Sequence, residues 1–192
     1  MKTREQWLQE SLEMMRKDLF TDEVMQGEDY PEVHVSTGNC NGSRGSKLKT
    51  LGVCYDAKVS EDKKAHIIID FQVNDSMRVL DILAHEMVHA VLGAEAGHGP
   101  KFKRLATAIG LEGKMTATVA GDKLKEKLAS IIDLLGDYPH PKVTLTGGKK
   151  QTTRMIKVEC ENTGYVARMS RKWLEEHGAP ICPCCHNIME VA

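Results

Sequence analysis

No apolar run in this 192-residue chain approaches the roughly 18 residues that a membrane-spanning helix requires. The start, Met1 to Gln6, is polar and of mixed charge, with no apolar region behind it, so a secretory leader is not expected. Charge of one sign is scarce too: the formal net charge is -1, which argues against a protein that binds polyanions over its whole surface. Internal repeats and low-complexity segments are absent, which excludes solenoids and repeat arrays. These absences predict a cytoplasmic protein with no membrane partner. In that compartment thiols stay reduced, so the six cysteines point to metal or to inert burial rather than to disulfides.

What is present fits a soluble globular protein, with 41% apolar and 28% charged residues. The length allows one domain of ordinary size and a small appendage. Charge is unevenly spread along the chain. Residues 1–35 are acidic, whereas residues 142–172 are basic, with Lys149, Lys150, Arg154, Lys157, Arg168 and Arg171 among them. A local nucleic-acid contact is therefore open to the second region.

Apolar spacing predicts a helix over residues 4–20, with Trp7, Leu8, Leu12, Met15 and Leu19 on one side. Strands are expected near Val33 and Val35, over 51–59 and over 65–71, as a small antiparallel meander. Thr37 to Lys47 reads as a loop rich in Gly, Ser and Asn. Asn74-Asp75-Ser76 offers an N-cap to a helix from about Met77 to Leu92, apolar on most sides and so buried. Gly93 and Gly97 end it. Pro100 opens another helix that stops at Gly110, and a last one spans about Asp122 to Leu135, before Gly136.

The central helix carries His85-Glu86-Met87-Val88-His89. Two histidines four apart share one helical face, which suits two ligands of one tetrahedral zinc. Glu86 can reach the metal's open position and take a proton from the water there. Catalytic zinc usually keeps three protein ligands, and His98 is the best third candidate, with Glu95 its rival. Leu92 and Glu95 stand where the metzincin spacing would place Gly and His. The bland alternative is a pair of hydrogen-bonded core histidines, but ionisable groups in an apolar helix are costly unless paired or liganded.

The run Arg78 to Ala90, followed by Gly97-His98-Gly99-Pro100-Lys101-Phe102 and by Gly110 to Thr118, resembles the SprT-like family of zinc metallopeptidases, which includes the Spartan proteases. The resemblance implies His85, His89 and His98 as zinc ligands and Glu86 as catalytic base. It implies an α+β fold, a helical zincin-like domain with a small sheet over the active-site helix. Spartan proteases cut proteins crosslinked to DNA and need DNA for activity, so a protein or peptide substrate associated with DNA is the implied class. The rival readings are a non-peptidase metal hydrolase and a DNA-binding zinc protein.

Domain organisation is expected as a metallopeptidase domain over 1–136, a linker over 137–153 and a zinc-ribbon-like module over 154–192. A zinc ribbon pairs two Cys-x-x-Cys knuckles. Cys182 and Cys185 form one. The other is incomplete, because Thr163 stands three residues after Cys160. Cys160, Cys182 and Cys185 are candidate ligands of a second, structural zinc, with Cys184, His186 or His177 as the fourth; a metal-free packed module is the alternative. Cys40 and Cys54 read as ordinary thiols. Basic residues with Tyr165 and Trp173 could meet phosphates and bases, although Trp173, on a helix capped by Ser170, is expected to pack inward.

Overall fold

The computed structural model describes residues 2–40, 50–143 and 155–192. The chain divides into two compact units, residues 1–145 and 146–192.

In the first unit, helix α1 (Arg4–Leu19) starts at a capping box. Thr3 Oγ1 accepts from the Gln6 N–H, and Gln6 Oε1 accepts from the Thr3 N–H. Its inner face buries the expected Trp7, Leu8, Leu12, Met15 and Leu19. A short α2 follows (Asp22–Met25). Three strands form one sheet: β1 (Val33–Gly38), β2 (Gly52–Tyr55) and β3 (Ala65–Asp70).

The expected antiparallel meander is corrected. The order is β1-β3-β2, with β1 parallel to β3 and β2 antiparallel to it. The reason lies in β3, whose Ala65, Ile67 and Ile69 are fully buried and take the centre. A tight turn commits consecutive strands to pair, whereas a long connection leaves the choice of partner open. The β1–β2 connection is far longer than a tight turn, so the two strands take opposite edges of β3. Residues 51–59 do not form one strand: after β2 comes a 3-10 turn at Ala57–Val59, with Asp56 as its N-cap. Most of the predicted loop from Thr37 to Lys47 lies outside the described residues.

Helix α3 (Ser76–Leu92) packs on β2 and β3. Asp75 caps it, its carboxylate accepting from the Arg78 N–H at 2.7 Å. Val79, Leu80, Leu83, Met87 and Val88 are fully buried, and burial of each such side chain contributes about 1.5–3 kcal/mol. Gly93, at φ +74°, ends the helix in backbone space that favours glycine. Helix α4 (Pro100–Ala108) has its proline in the first turn, and α5 (Asp122–Leu135) stops at Gly136 as the sequence predicts. Between them lies an antiparallel hairpin that the periodicity does not reveal, β4 (Leu111–Lys114) with β5 (Ala117–Ala120).

The start of the predicted linker belongs to this first unit. Tyr138 is buried edge-on against Trp7, whose Nε1–H donates to the Gly136 carbonyl at 2.9 Å. The Val143 N–H donates to the Phe71 carbonyl.

The second unit is a three-stranded antiparallel sheet in the order β7-β6-β8, from β6 (Ile156–Glu159), β7 (Val166–Met169) and β8 (Glu190–Val191). Helix α6 (Arg171–His177) follows β7. The unit's small core is Val158, Cys160, Cys182 and Met189. Trp173 is not in it, contrary to expectation. It is 52% exposed and stacks on His177 at 5.2 Å, and the Ser170 side chain makes no capping hydrogen bond.

Candidate metal centre

One face of α3 presents His85 and His89, one turn apart. The chain then turns back through a 3-10 turn, Ala94–Ala96, between Gly93 and Gly97, both at positive φ. That reversal delivers His98 just before α4. The His98 Nε2 lies 3.2 Å from the His85 Nε2 and 3.1 Å from the His89 Nε2. Zinc–nitrogen bonds of about 2.0–2.1 Å put tetrahedral corners roughly 3.3 Å apart, so this spacing fits three imidazoles on one zinc.

The electrostatics agree with ligation. Burial first, then the neighbouring imidazoles, push His85 down to about 3. Burial and His98 bring His89 to about 4, and burial lowers His98. Burial thus disfavours the charged form of all three rings and favours the lone pairs that a metal requires. Three neutral ring nitrogens this close cannot all be satisfied by one another's protons. A cation among them resolves that conflict.

Packing holds the rings. The buried Phe102 of α4 lies beneath all three, with ring centroids 4.9, 4.5 and 4.9 Å from those of His85, His89 and His98. The His85 Nδ1 is 2.8 Å from Thr118 Oγ1 on β5. A metal on Nε2 would make Nδ1–H the donor to Thr118 Oγ1 and so set the tautomer. Asp56, after β2, accepts from the Ala94 N–H at 3.2 Å and so ties down the turn before His98. A Cβ on Gly93 would lie 2.8 Å from the Asp56 carboxylate, so that close approach also needs glycine.

Glu86 is 6% exposed, and burial pushes its carboxyl up to about 8. A bound dication would favour the carboxylate and pull it back down. Its side chain lies against β2 at Gly52, where an added Cβ would sit 2.7 Å from Glu86 Oε1 and 2.6 Å from Ile82 Cγ2. Glycine there makes room for the carboxylate. The whole set opens on a cleft of 690 Å³ lined by Leu51 to Cys54, the histidines, Glu86, Arg78 and Lys114 to Thr118 except Met115. A hollow of similar size, 680 Å³, between α1 and β1 brings no metal-ligating cluster together among the described residues.

Of the residues expected at the site, His85, His89 and His98 converge and Glu86 lies beside them. Glu95 does not join; it is exposed and pairs with Lys58 at 3.5 Å. Thr118, Asp56 and Gly52 escape the sequence reading because each acts across the fold. Only the run of resemblance that reaches Thr118 touches any of them.

The SprT-like family model matches residues 14–121, more than half of the chain. The chain belongs to the SprT-like family. No curated protein and no solved structure matches it. The family is associated with metallopeptidase-like function. The SprT-like span holds the three histidines, Glu86 and Thr118, and it ends before the cysteine cluster.

In the second unit Cys160, Cys182 and Cys185 bring their sulfurs within 4.8 Å of one another. Cys184 is exposed, and neither it nor His177 or His186 joins the cluster. Cys40 and Cys54 belong to the first unit, where burial pushes both thiols up to about 12. Among the described residues, no helix is long and apolar enough to cross a membrane.

Proposed function

We propose that this protein is a zinc-dependent peptidase acting on protein chains. The observation that carries the reading is the convergence of three imidazole nitrogens beside a buried glutamate, in a cleft walled by an edge strand. Zinc, when bound, supplies Lewis acidity that acidifies a water and polarises the scissile carbonyl. His85, His89 and His98 would hold it, through Nε2 in each case. Glu86 accepts the water's proton and returns it to the departing amine. β2 pairs with β3 on one side, and no described strand occupies its other side. A peptide can add there as a further strand, which orients the amide by main-chain hydrogen bonds. Such an edge favours a peptide over a small molecule as the substrate.

DNA-associated or DNA-crosslinked proteins are the substrates this reading favours, in the cytoplasm. The support is the family and the second unit's surface, where Trp173 and Tyr165 are half exposed and Lys172 Nζ lies 5.3 Å from the Trp173 ring centroid. Exposed aromatics beside cations suit stacking on unpaired bases. Lys149, Lys150 and Arg154 of the basic cluster lie outside the described residues. The cysteine cluster would hold a second metal, with a structural role.

The test is hydrolysis by the zinc-loaded full chain of a general protein substrate and of a phosphodiester, each with and without single-stranded DNA. Cleavage of protein alone, stimulated by DNA, is expected. Phosphodiester cleavage without proteolysis overturns the peptidase reading. Proteolysis indifferent to DNA removes the DNA-linked substrate.

A further inference from the structure

The two turns that carry the cysteines are built alike. In the first, Gly164 at φ +69° donates its N–H to the Cys160 carbonyl at 2.8 Å. In the second, His186 at φ +59° donates to the Cys182 carbonyl at 2.9 Å. Each turn thus runs from a buried cysteine to a left-handed residue four positions on. The position before that residue is Cys185 in one turn and Thr163 in the other. Thr163 is therefore the structural counterpart of Cys185.

The side chains confirm the correspondence. Cys160 Sγ lies 3.4 Å from Cys185 Sγ, and Thr163 Oγ1 lies 3.3 Å from Cys182 Sγ. Zinc–sulfur bonds of about 2.3 Å put tetrahedral corners roughly 3.8 Å apart, close to this arrangement. The three thiols would take three corners, and the Thr163 hydroxyl beside Cys182 Sγ would stand toward the fourth. Cys160 and Cys182 are buried, whereas Thr163 is exposed, so the open corner faces solvent. A neutral alcohol is a poor zinc donor beside thiolates, and water or an external ligand can displace it.

We propose that the second unit is a three-thiolate metal site, formed by Cys160, Cys182 and Cys185, with an exchangeable fourth position at Thr163. It takes a borderline or soft cation of the zinc(II) class. Neither Cys184 nor a histidine closes it. The inference does not rest on the peptidase reading, since the two sites share no residue.

Cobalt(II) is the probe, titrated into the reduced full chain. Only sulfur ligands give thiolate-to-cobalt charge transfer in the near ultraviolet, so the three-histidine site is silent in that band. The native chain should show the band with the intensity of three thiolates. Thr163→Cys should raise it by about a third and slow chelator removal of the metal at least about tenfold. Thr163→Val should leave the band's intensity unchanged. An added small thiol should raise the native band toward the Thr163→Cys level and leave that variant unaffected. No charge-transfer band in the native chain overturns the proposal. So does a native band that falls by about a quarter in Cys184→Ser, because Cys184 would then be the fourth ligand. Hydrolysis is not read at any point, so this site and the peptidase reading can fail separately.

Discussion

The Nδ1 of His85 lies 2.8 Å from Thr118 Oγ1, across 33 residues of sequence. That contact turns the other ring nitrogen toward His89 and His98. Thr118→Val removes the acceptor at nearly constant shape and strands a buried N–H, a loss of about 1–3 kcal/mol. Zinc affinity, measured by chelator competition, should fall about 10- to 100-fold. Thr118→Ser should keep most of it. Equal affinity in the native and Val chains would show that Thr118 does not orient His85.

Gly52→Ala tests the seat of Glu86. The new methyl would meet Glu86 Oε1 at 2.7 Å and Ile82 Cγ2 at 2.6 Å, so the carboxylate must shift. Misplacing a proton-transfer group by about 1 Å can cost on the order of 10²-fold in rate. The expected result is a kcat at least about tenfold lower with zinc content unchanged. Unchanged kcat would mean that the cleft yields elsewhere.

Asp56 bears on the third ligand. Its carboxylate accepts from the Ala94 N–H, and a backbone contact with Lys58 holds the Asp56 carboxyl below the usual range. Asp56→Ala should loosen the turn leading to His98 and weaken zinc binding by a few fold to about tenfold, as the loss of one hydrogen bond of roughly 1 kcal/mol requires. Asp56→Asn, which keeps an acceptor, should bind zinc more tightly than the Ala variant. The same chelator competition reads both.

Asp81 gives a pH signature. It is buried and paired with Arg78, and burial nevertheless raises its carboxyl above the ordinary value. A carboxyl raised on folding keeps its proton longer in the folded chain than in the unfolded one. Its contribution to stability is therefore present below the unfolded pKa of about 4 and is lost as pH rises through the folded pKa. Urea midpoints of the native chain and Asp81→Asn, compared between about pH 3 and 7, should differ in slope in that direction. Parallel curves would contradict the assignment.

Local chemistry made much of this molecule legible. The Asp75 cap, the stop at Gly93, the entry at Pro100 and the stop at Gly136 all follow from neighbouring residues, and the helices lie where those signals place them. The i, i+4 histidines needed only helical geometry. Partner choice across the fold was less visible. Nothing in β1 says that it pairs in parallel with β3, because that depends on which strand takes the buried centre. Thr118 and Asp56 reach the site from elements distant in sequence, and Gly52 matters only because Glu86 comes to lie on it. Trp173 reads as a core residue by its type, yet the thiols and aliphatic side chains of so small a unit fill the space first.

The central claim, that Glu86 moves the proton at a three-histidine zinc site, is tested most directly by Glu86→Gln. Bound zinc and the rate of cleavage of a general protein substrate are measured together for the native and variant chains. The native chain should cleave. The variant should retain zinc at His85, His89 and His98 and lose about 10²- to 10⁴-fold in kcat. Cleavage that survives Glu86→Gln undiminished, or a native chain that holds no zinc at these histidines, contradicts the account.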